Sequence, residues 1–483
     1  MKSQITTSIT KLLLCLGGLI FLSMSAFSIR ASLHAYDVIE SLLLFIMIVG
    51  GMILLGFITM KYLTTKEYIT ILVVFSFAVR FIWIAIFQTP PVSDFKMMYD
   101  SAVNASNGIF DFVHNSYYES WPYQLGFTFY QSIIIKIFGE GLFTLKMLNV
   151  LFGAGTCILV YFIASKLFNE YSGRIAGLLY AFNLPGIFMS SVLTNQYIAI
   201  FLFSLALYLL ILRYKHNTHL TFFGILIGVL LSLGNLMRPV GIIMLIAIII
   251  FLLISNFLGK SKEDKVRTIK LTSLILVSYY LFFLVCSYSL ILGGITDHTL
   301  SNRDPLWKVV LGLNADSNGG YSNADAELIQ SLPIDERKAV EISLIKERIS
   351  DKRVLSDLFI RKFYYMWGEL DSAAFWSLGD LDRPDVYGSL QKYERHMFIV
   401  TVLFGTISMI YLLFNKSLFN KDNGYLLPLL FVIGYVLIHL VIEIQARYRF
   451  ESVPFIIILS SFGIYKVNDW IGKRFTKRNE KNA

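Results

Sequence analysis

An ionisable side chain at the end of a long apolar stretch is cheap when solvated and costly when buried, so each one outside the positive loops is either an anchor or part of a site. Four such groups stand out. They are Asp94 with Asp100 in "PPVSDFKMMYDSA", Tyr117 with Glu119 in "NSYYESWPY", Arg238 in "GNLMRPVG", and the run His439, Glu443, Arg447, Tyr448, Arg449 in "HLVIEIQARYRFESVP". Arginine is the residue for holding a phosphate, through its planar fork of donors. His439 and Glu443 stand four apart, on one helical face. A carboxylate from the first group and arginines from two distant turns would line one outward cavity if the fold brings them together. Taken singly, each has a plainer reading: an arginine at a helix end reaches lipid headgroups, and Asp94 after two prolines caps the following helix. The set argues for a site more strongly than any member does.

The elements that must position these residues are membrane helices. The chain of 483 residues is 56% hydrophobic and only 16% charged, with repeated apolar runs long enough to cross a bilayer. Apolar windows fall near 12–30, 39–60, 69–88, 142–165, 173–191, 195–213, 219–236, 239–258, 270–293, 397–414, 424–443 and 451–467. The expected fold class is therefore an all-α polytopic membrane protein of about twelve transmembrane helices. Its formal charge of +9 sits mainly in short gaps between the runs, as cytoplasmic loops require, which leaves no case for a nucleic-acid partner. Counted from a cytoplasmic N-terminus, Lys61/Lys66, Lys166/Arg174, Arg213/Lys215, "KSKEDKVRTIK", Lys416/Lys421 and the tail "KRFTKRNEKN" all fall inside. The first helix imitates a signal peptide, but a second span follows closely and an uncleaved helix is the simpler expectation. Cys15, Cys157 and Cys286 lie within apolar runs and read as packing residues.

The same count places residues 89–141 and 294–396 outside. In the first, "DFKMMYDSAVNASNGIF" and "YQLGFTFYQSIIIKIFG" read as amphipathic helices in the headgroup layer. The second is too long for a plain connection and reads as a small, mostly helical external subdomain. The expected division is two N-terminal helices in 1–68, a core in 69–293 with its outer loop 89–141, the external subdomain 294–396, and C-terminal helices with a basic tail in 397–483. Two motifs carry less than they promise. "DLD" at 380–382 matches a nucleotide-sugar motif but reads as a turn in an external loop. "NADSNGGYSNAD" puts Asn314, Asp316, Asn318 and Asp325 at calcium-loop positions, yet lacks the closing Glu and reads first as a Gly/Asn-rich turn. No cofactor is required by these residues, and a divalent cation has its one candidate place in that loop.

In order, "SDFKMMYDSA", "WPYQLGFTFYQSIIIKIFGEGLFTLKMLNVLFG", "NLMRP" and "RYRFESVP" resemble the membrane-embedded C-fold (GT-C) glycosyltransferases that use polyprenyl-phosphate sugars, in particular the bacterial members similar to protein O-mannosyltransferases and aminoarabinose transferases. The resemblance runs from about residue 69 to 467. It implies a GT-C-like bundle, with Asp94 as the base that takes the acceptor proton. Phe95 follows that aspartate where family members often carry Glu, which brings Asp100 and Glu119 in as further candidates. It also implies Arg238, Arg447 and Arg449 at the donor phosphate, and Tyr99, Tyr117, His439, Glu443 and Tyr448 around the substrate. The partners implied are an undecaprenyl-phosphate sugar, a hydroxyl on a cell-envelope glycan, lipid or protein, and the bilayer itself. The expected location is the bacterial plasma membrane, with both termini cytoplasmic, the active site outside, and direct displacement inverting the sugar. The competing functions are a polysaccharide polymerase or ligase using diphosphate-linked oligosaccharides, and a lipid-linked sugar transporter or flippase.

Overall fold

The computed structural model describes residues 2–216, 218–258, 260–381, 383–415 and 423–482. Asp382 of the "DLD" motif, Lys416, Lys421 and the tail side chains beyond Lys473 lie outside what is described. Among the described residues every regular element is helical. Eight helices are long and apolar enough to cross a membrane: Gln4–Ala35, Val38–Tyr62, Thr65–Ile86, Leu142–Leu167, Gln196–Arg213, Leu220–Met237, Lys262–Leu292 and Val386–Phe414. The protein is a multi-pass membrane protein. Two shorter apolar helices, Gly241–Phe257 and Leu426–Val441, stand in two more of the expected windows.

The remaining windows show why twelve full spans are not found. In 173–191 the helix Glu170–Ala181 ends at Phe182, and a new short helix, Leu184–Phe188, starts with a proline in its first turn. Pro185 has no N–H to continue the preceding ladder. The last window falls on the helix Val453–Asn482, which runs on into the basic tail. Leu42, Leu43, Ile46, Leu54 and Phe57 of the second helix are exposed, a surface that suits lipid and not water.

The two N-terminal helices pack against the rest of the bundle. The helix Lys2–Ala35 lies along Pro384–Phe414, its Ser28 Oγ donates to the Trp367 carbonyl at 2.9 Å, and Glu40 of the second helix pairs with Lys392 at 2.8 Å.

The two long segments expected outside, 89–141 and 294–396, are both folded. In the first, the helices Ser93–Ser106 and Leu125–Phe138 pack together through Ala102 and Ile135, as their amphipathic pattern predicts. Gly126 lies so close to the Leu236 carbonyl that a Cβ there would collide with it. The second segment carries the helices Trp307–Gly312, Asn323–Gln330, Ile334–Ser350 and Lys352–Phe363, around a small core of Trp307, Val310, Leu311, Ala326 and Ile329. Arg337 joins the two segments, donating to Ser120 Oγ at 2.9 Å while pairing with Asp304 at 3.4 Å. Lys362, 1% exposed, donates to the carbonyls of Gly312, Leu440 and Ile442 at 2.7–2.8 Å. One ammonium thus caps the helix Leu426–Val441 and fixes the external segment over its end.

Candidate active site

Pro90 and Pro91 carry the chain extended out of the helix Thr65–Ile86. Ahead of them the Thr89 carbonyl accepts from the buried Lys146 ammonium at 2.7 Å, and the Thr89 hydroxyl donates to the Ser377 carbonyl at 2.7 Å. The next helix has Val92 at its N-cap with no side-chain capping bond, and Ser93 at φ 53°. Asp94 is therefore not a helix cap. It stands inside the first turn, next to a left-handed serine, a strain of about 1 kcal/mol of the kind that collects at functional sites.

Asp94 lines a cavity of about 240 Å³. The first outer loop contributes Tyr117, Trp121, Tyr123 and Gln124, the external segment Trp307, Lys308, Tyr321 and Gln330, and the turn after Leu426–Val441 contributes Glu443, Gln445, Arg447 and Tyr448. Glu443, 1% exposed, pairs with Lys308, and its N–H donates to the Lys308 carbonyl at 2.7 Å. Arg447 Nε donates to Gln445 Oε1 at 2.8 Å, and the other end of that amide donates to Glu443 at 3.1 Å. Among the described residues Arg447 has no carboxylate at ion-pair distance, and its Nη1 is shielded from water without a hydrogen-bond partner.

Burial raises the Asp94 carboxyl above the usual aspartate range, opposed by the charges of Arg447 and Lys308 and assisted by Glu443. Asp94 keeps an exposed edge toward solvent, so partial loss of water is the largest cause, and its carboxylate binds a proton more readily than a fully solvated one. Burial likewise pushes the phenol of Tyr123, on the same cavity wall, up to about 12.

Asp94, Tyr117, Glu443, Arg447 and Tyr448 thus come together, and the other candidates do not join them. Asp100 is exposed and pairs with Lys96 at 2.5 Å, four residues back on the same helix. Glu119 is exposed and does not line the cavity. Tyr99 donates to the Glu140 carbonyl at 2.5 Å, tying the two outer helices at their far side. His439 is buried against Tyr435, with Nδ1 bonded to the Tyr435 carbonyl at 2.7 Å.

Arg238 pairs with the fully buried Glu451, which also accepts from Gln196 at 3.0 Å and Tyr435 at 3.1 Å; its guanidinium lies 5.3 Å from the Tyr448 ring, behind the cavity wall. Arg449 pairs with buried Asp371 at 3.4 Å, in a separate chamber with Glu394 and Arg395. Both arginines already have their counter-charge. Replacing Glu451 by Gln is expected to destabilise the fold by about 3–5 kcal/mol, because it leaves a mostly buried guanidinium unpaired. A thermal melt of the detergent-solubilised protein checks this, and an unchanged midpoint would show that the pair carries no weight.

The calcium-loop residues are turned to protein donors. Asn314 donates to Asp325 at 2.7 Å, Asp325 also accepts from Arg348 at 2.7 Å, Asn314 Oδ1 accepts the N–H groups of Asp316 and Ser317, and Asn318 accepts from Arg361 at 2.5 Å. A cation would have to displace two guanidinium groups, so the segment does not fit one. Among the described residues no cluster of three His, Cys, Asp or Glu side chains is placed to hold a metal.

The arrangement has known counterparts. The sequence model of the family described as dolichyl-phosphate-mannose-protein mannosyltransferase matches residues 124–284, about a third of the chain. The fold resembles the oligosaccharyltransferase of Archaeoglobus fulgidus in its apo form, at TM-score 0.51 and 14% identity over 88% of this chain and 52% of that one. It also resembles AglB from the same organism in complex with an inhibitory peptide and a dolichol-phosphate, at TM-score 0.50 and 15% identity over 87% and 52%. The fold is that of the GT-C glycosyltransferases. The chain spans about half the length of those archaeal enzymes, and no curated protein matches it. Neither Asp94 nor Arg447 lies in the segment matched by the family.

Several residues around the cavity are not singled out by sequence reasoning. Lys308 is one of many charged residues in a polar segment, and nothing local marks it. Trp121, Trp307 and Tyr321 are aromatic among many aromatics. Lys146 does carry a signal, as a lone lysine within the apolar run 142–165.

Proposed function

We propose that this protein transfers a sugar from undecaprenyl phosphate to a hydroxyl of a cell-envelope acceptor at the outer face of the bacterial plasma membrane. One observation carries the reading: a carboxylate and an arginine from opposite ends of the chain, Asp94 and Arg447, line the same cavity at the ends of the membrane helices. The dolichol-phosphate bound to AglB and the mannosyltransferase family match support a lipid-phosphate donor. In this reading the donor's anomeric carbon and phosphate enter the cavity. Asp94 takes the acceptor proton as the new glycosidic bond forms, and Arg447 stabilises the charge on the departing phosphate. Lys308 is held by Glu443 and lies second in line. A single carboxylate acting as base leaves direct displacement, which inverts the anomeric configuration.

The test is transfer of radiolabelled sugar from purified undecaprenyl-phosphate donors to cell-envelope acceptors. Transfer from diphosphate-linked oligosaccharides alone would make the protein a polymerase or ligase, and products that retain the donor's configuration would sink the displacement. The pH profile gives a further check. Asp94 must be ionised to act, and its pKa is raised, so activity should climb with pH through a value above the ordinary aspartate range. An acid limb at that ordinary range would show that another group takes the proton.

A further inference from the structure

Arg447 is held unlike its neighbours. Arg238 has Glu451, Arg449 has Asp371 and Arg395 has Glu369. The Arg447 guanidinium instead lies 4.1 Å from the centre of the Trp376 ring and 5.1 Å from that of Phe95, and those two rings meet edge to face at 5.4 Å. A carboxylate beside a guanidinium cancels its charge. A ring face holds the same cation through its quadrupole and leaves the charge available. Apart from the Tyr448 ring, whose centre lies 5.8 Å away, the remaining contact is to the neutral amide of Gln445, and Nη1 has no acceptor. Neither Trp376 nor Phe95 belongs to the cavity lining, so both act on Arg447 from behind.

The clamp is built into the turn that carries the arginine. Trp376 stands on the short helix Ala373–Leu378, whose start is fixed by Asp371 accepting the Ala373 N–H at 2.8 Å. Asp371 pairs with Arg449 on the same 3-10 turn, Ala446–Glu451, as Arg447. The Arg449–Asp371 pair therefore sets Trp376 over Arg447.

We infer that Phe95 and Trp376 form an aromatic clamp that positions Arg447 and keeps its charge free for the donor's phosphate, so that they set how tightly that anion is held. The inference rests on the donor reading above and deepens it. Phe95 and Trp376 are positioning residues in this scheme and touch no reacting atom.

The experiment is binding of radiolabelled undecaprenyl phosphate to the full-length protein in lipid nanodiscs. Phe95→Glu places a carboxylate beside Arg447 and should weaken binding by about tenfold, as should Trp376→Ala, while Trp376→Phe should stay within about threefold of wild type. In an Arg447→Ala background Phe95→Glu should cause no further loss, because the two changes act through one cation. Losses that add in the double variant, or Phe95→Glu binding as tightly as wild type, would overturn the clamp. Wild type binding no undecaprenyl phosphate would overturn the donor reading and the clamp together, a pattern distinct from loss of the clamp alone.

Discussion

Asp94→Asn is expected to lower sugar transfer by about 10²–10⁴, the usual contribution of a positioned general base. The change removes the proton-accepting lone pairs and keeps the shape of the side chain. It should not unfold the protein, for two reasons visible at the site. Asp94 makes no capping bond to the helix it begins, and burial already works against its charged form, so a neutral amide relieves a cost instead of adding one. The measurement is initial transfer rate at equal folded abundance, with a thermal melt beside it. Transfer surviving at more than about a tenth of wild type would remove Asp94 from the role of base. Asp100 and Glu119 would not inherit that role easily, because one is tied to Lys96 on the exposed helix face and neither lines the cavity.

Arg447→Ala is expected to lower transfer by about 10²–10³, the scale seen when one preorganised donor to a developing negative charge is removed. Most of the loss should fall on kcat if the guanidinium meets the phosphate chiefly as its bond to the sugar breaks, with a smaller rise in KM. Arg449→Ala makes the informative contrast. It strands buried Asp371, so its loss should come with a lower melting midpoint, whereas Arg447, stacked on rings and free of any carboxylate partner, should leave the midpoint near wild type. Equal activity in Arg447→Ala and wild type would break the proposed mechanism at the phosphate.

Much of the bundle was legible because its physics is local. An apolar run of spanning length forms a helix whatever its neighbours do, since lipid offers no partner for the backbone, and the runs that became Val38–Tyr62, Leu142–Leu167 and Lys262–Leu292 needed no tertiary information. The two amphipathic outer helices were readable from their periodicity for the same reason. Where polar and proline residues interrupt a run, as at Asn183 and Pro185, hydropathy averaged over a window hid the break.

The site was legible only by residue type. Sequence alone marked Asp94, Arg238, Arg447 and Arg449 as charges in the wrong place for a lipid-facing helix. It could not rank them, because a guanidinium's availability depends on what lies beside it. Glu451 and Asp371 are as remote from their partners in sequence as Trp376 and Phe95 are from Arg447. Packing alone decided that Arg238 and Arg449 met a carboxylate as well as a ring, while Arg447 met rings without a carboxylate. The same holds for Asp94: two prolines fixed the direction in which the chain leaves the helix, but the walls that take part of the water from its otherwise exposed carboxyl come from residues 117–124, the 294–396 segment and the final turn, and desolvation is a property of the assembled cavity that no local stretch of sequence contains.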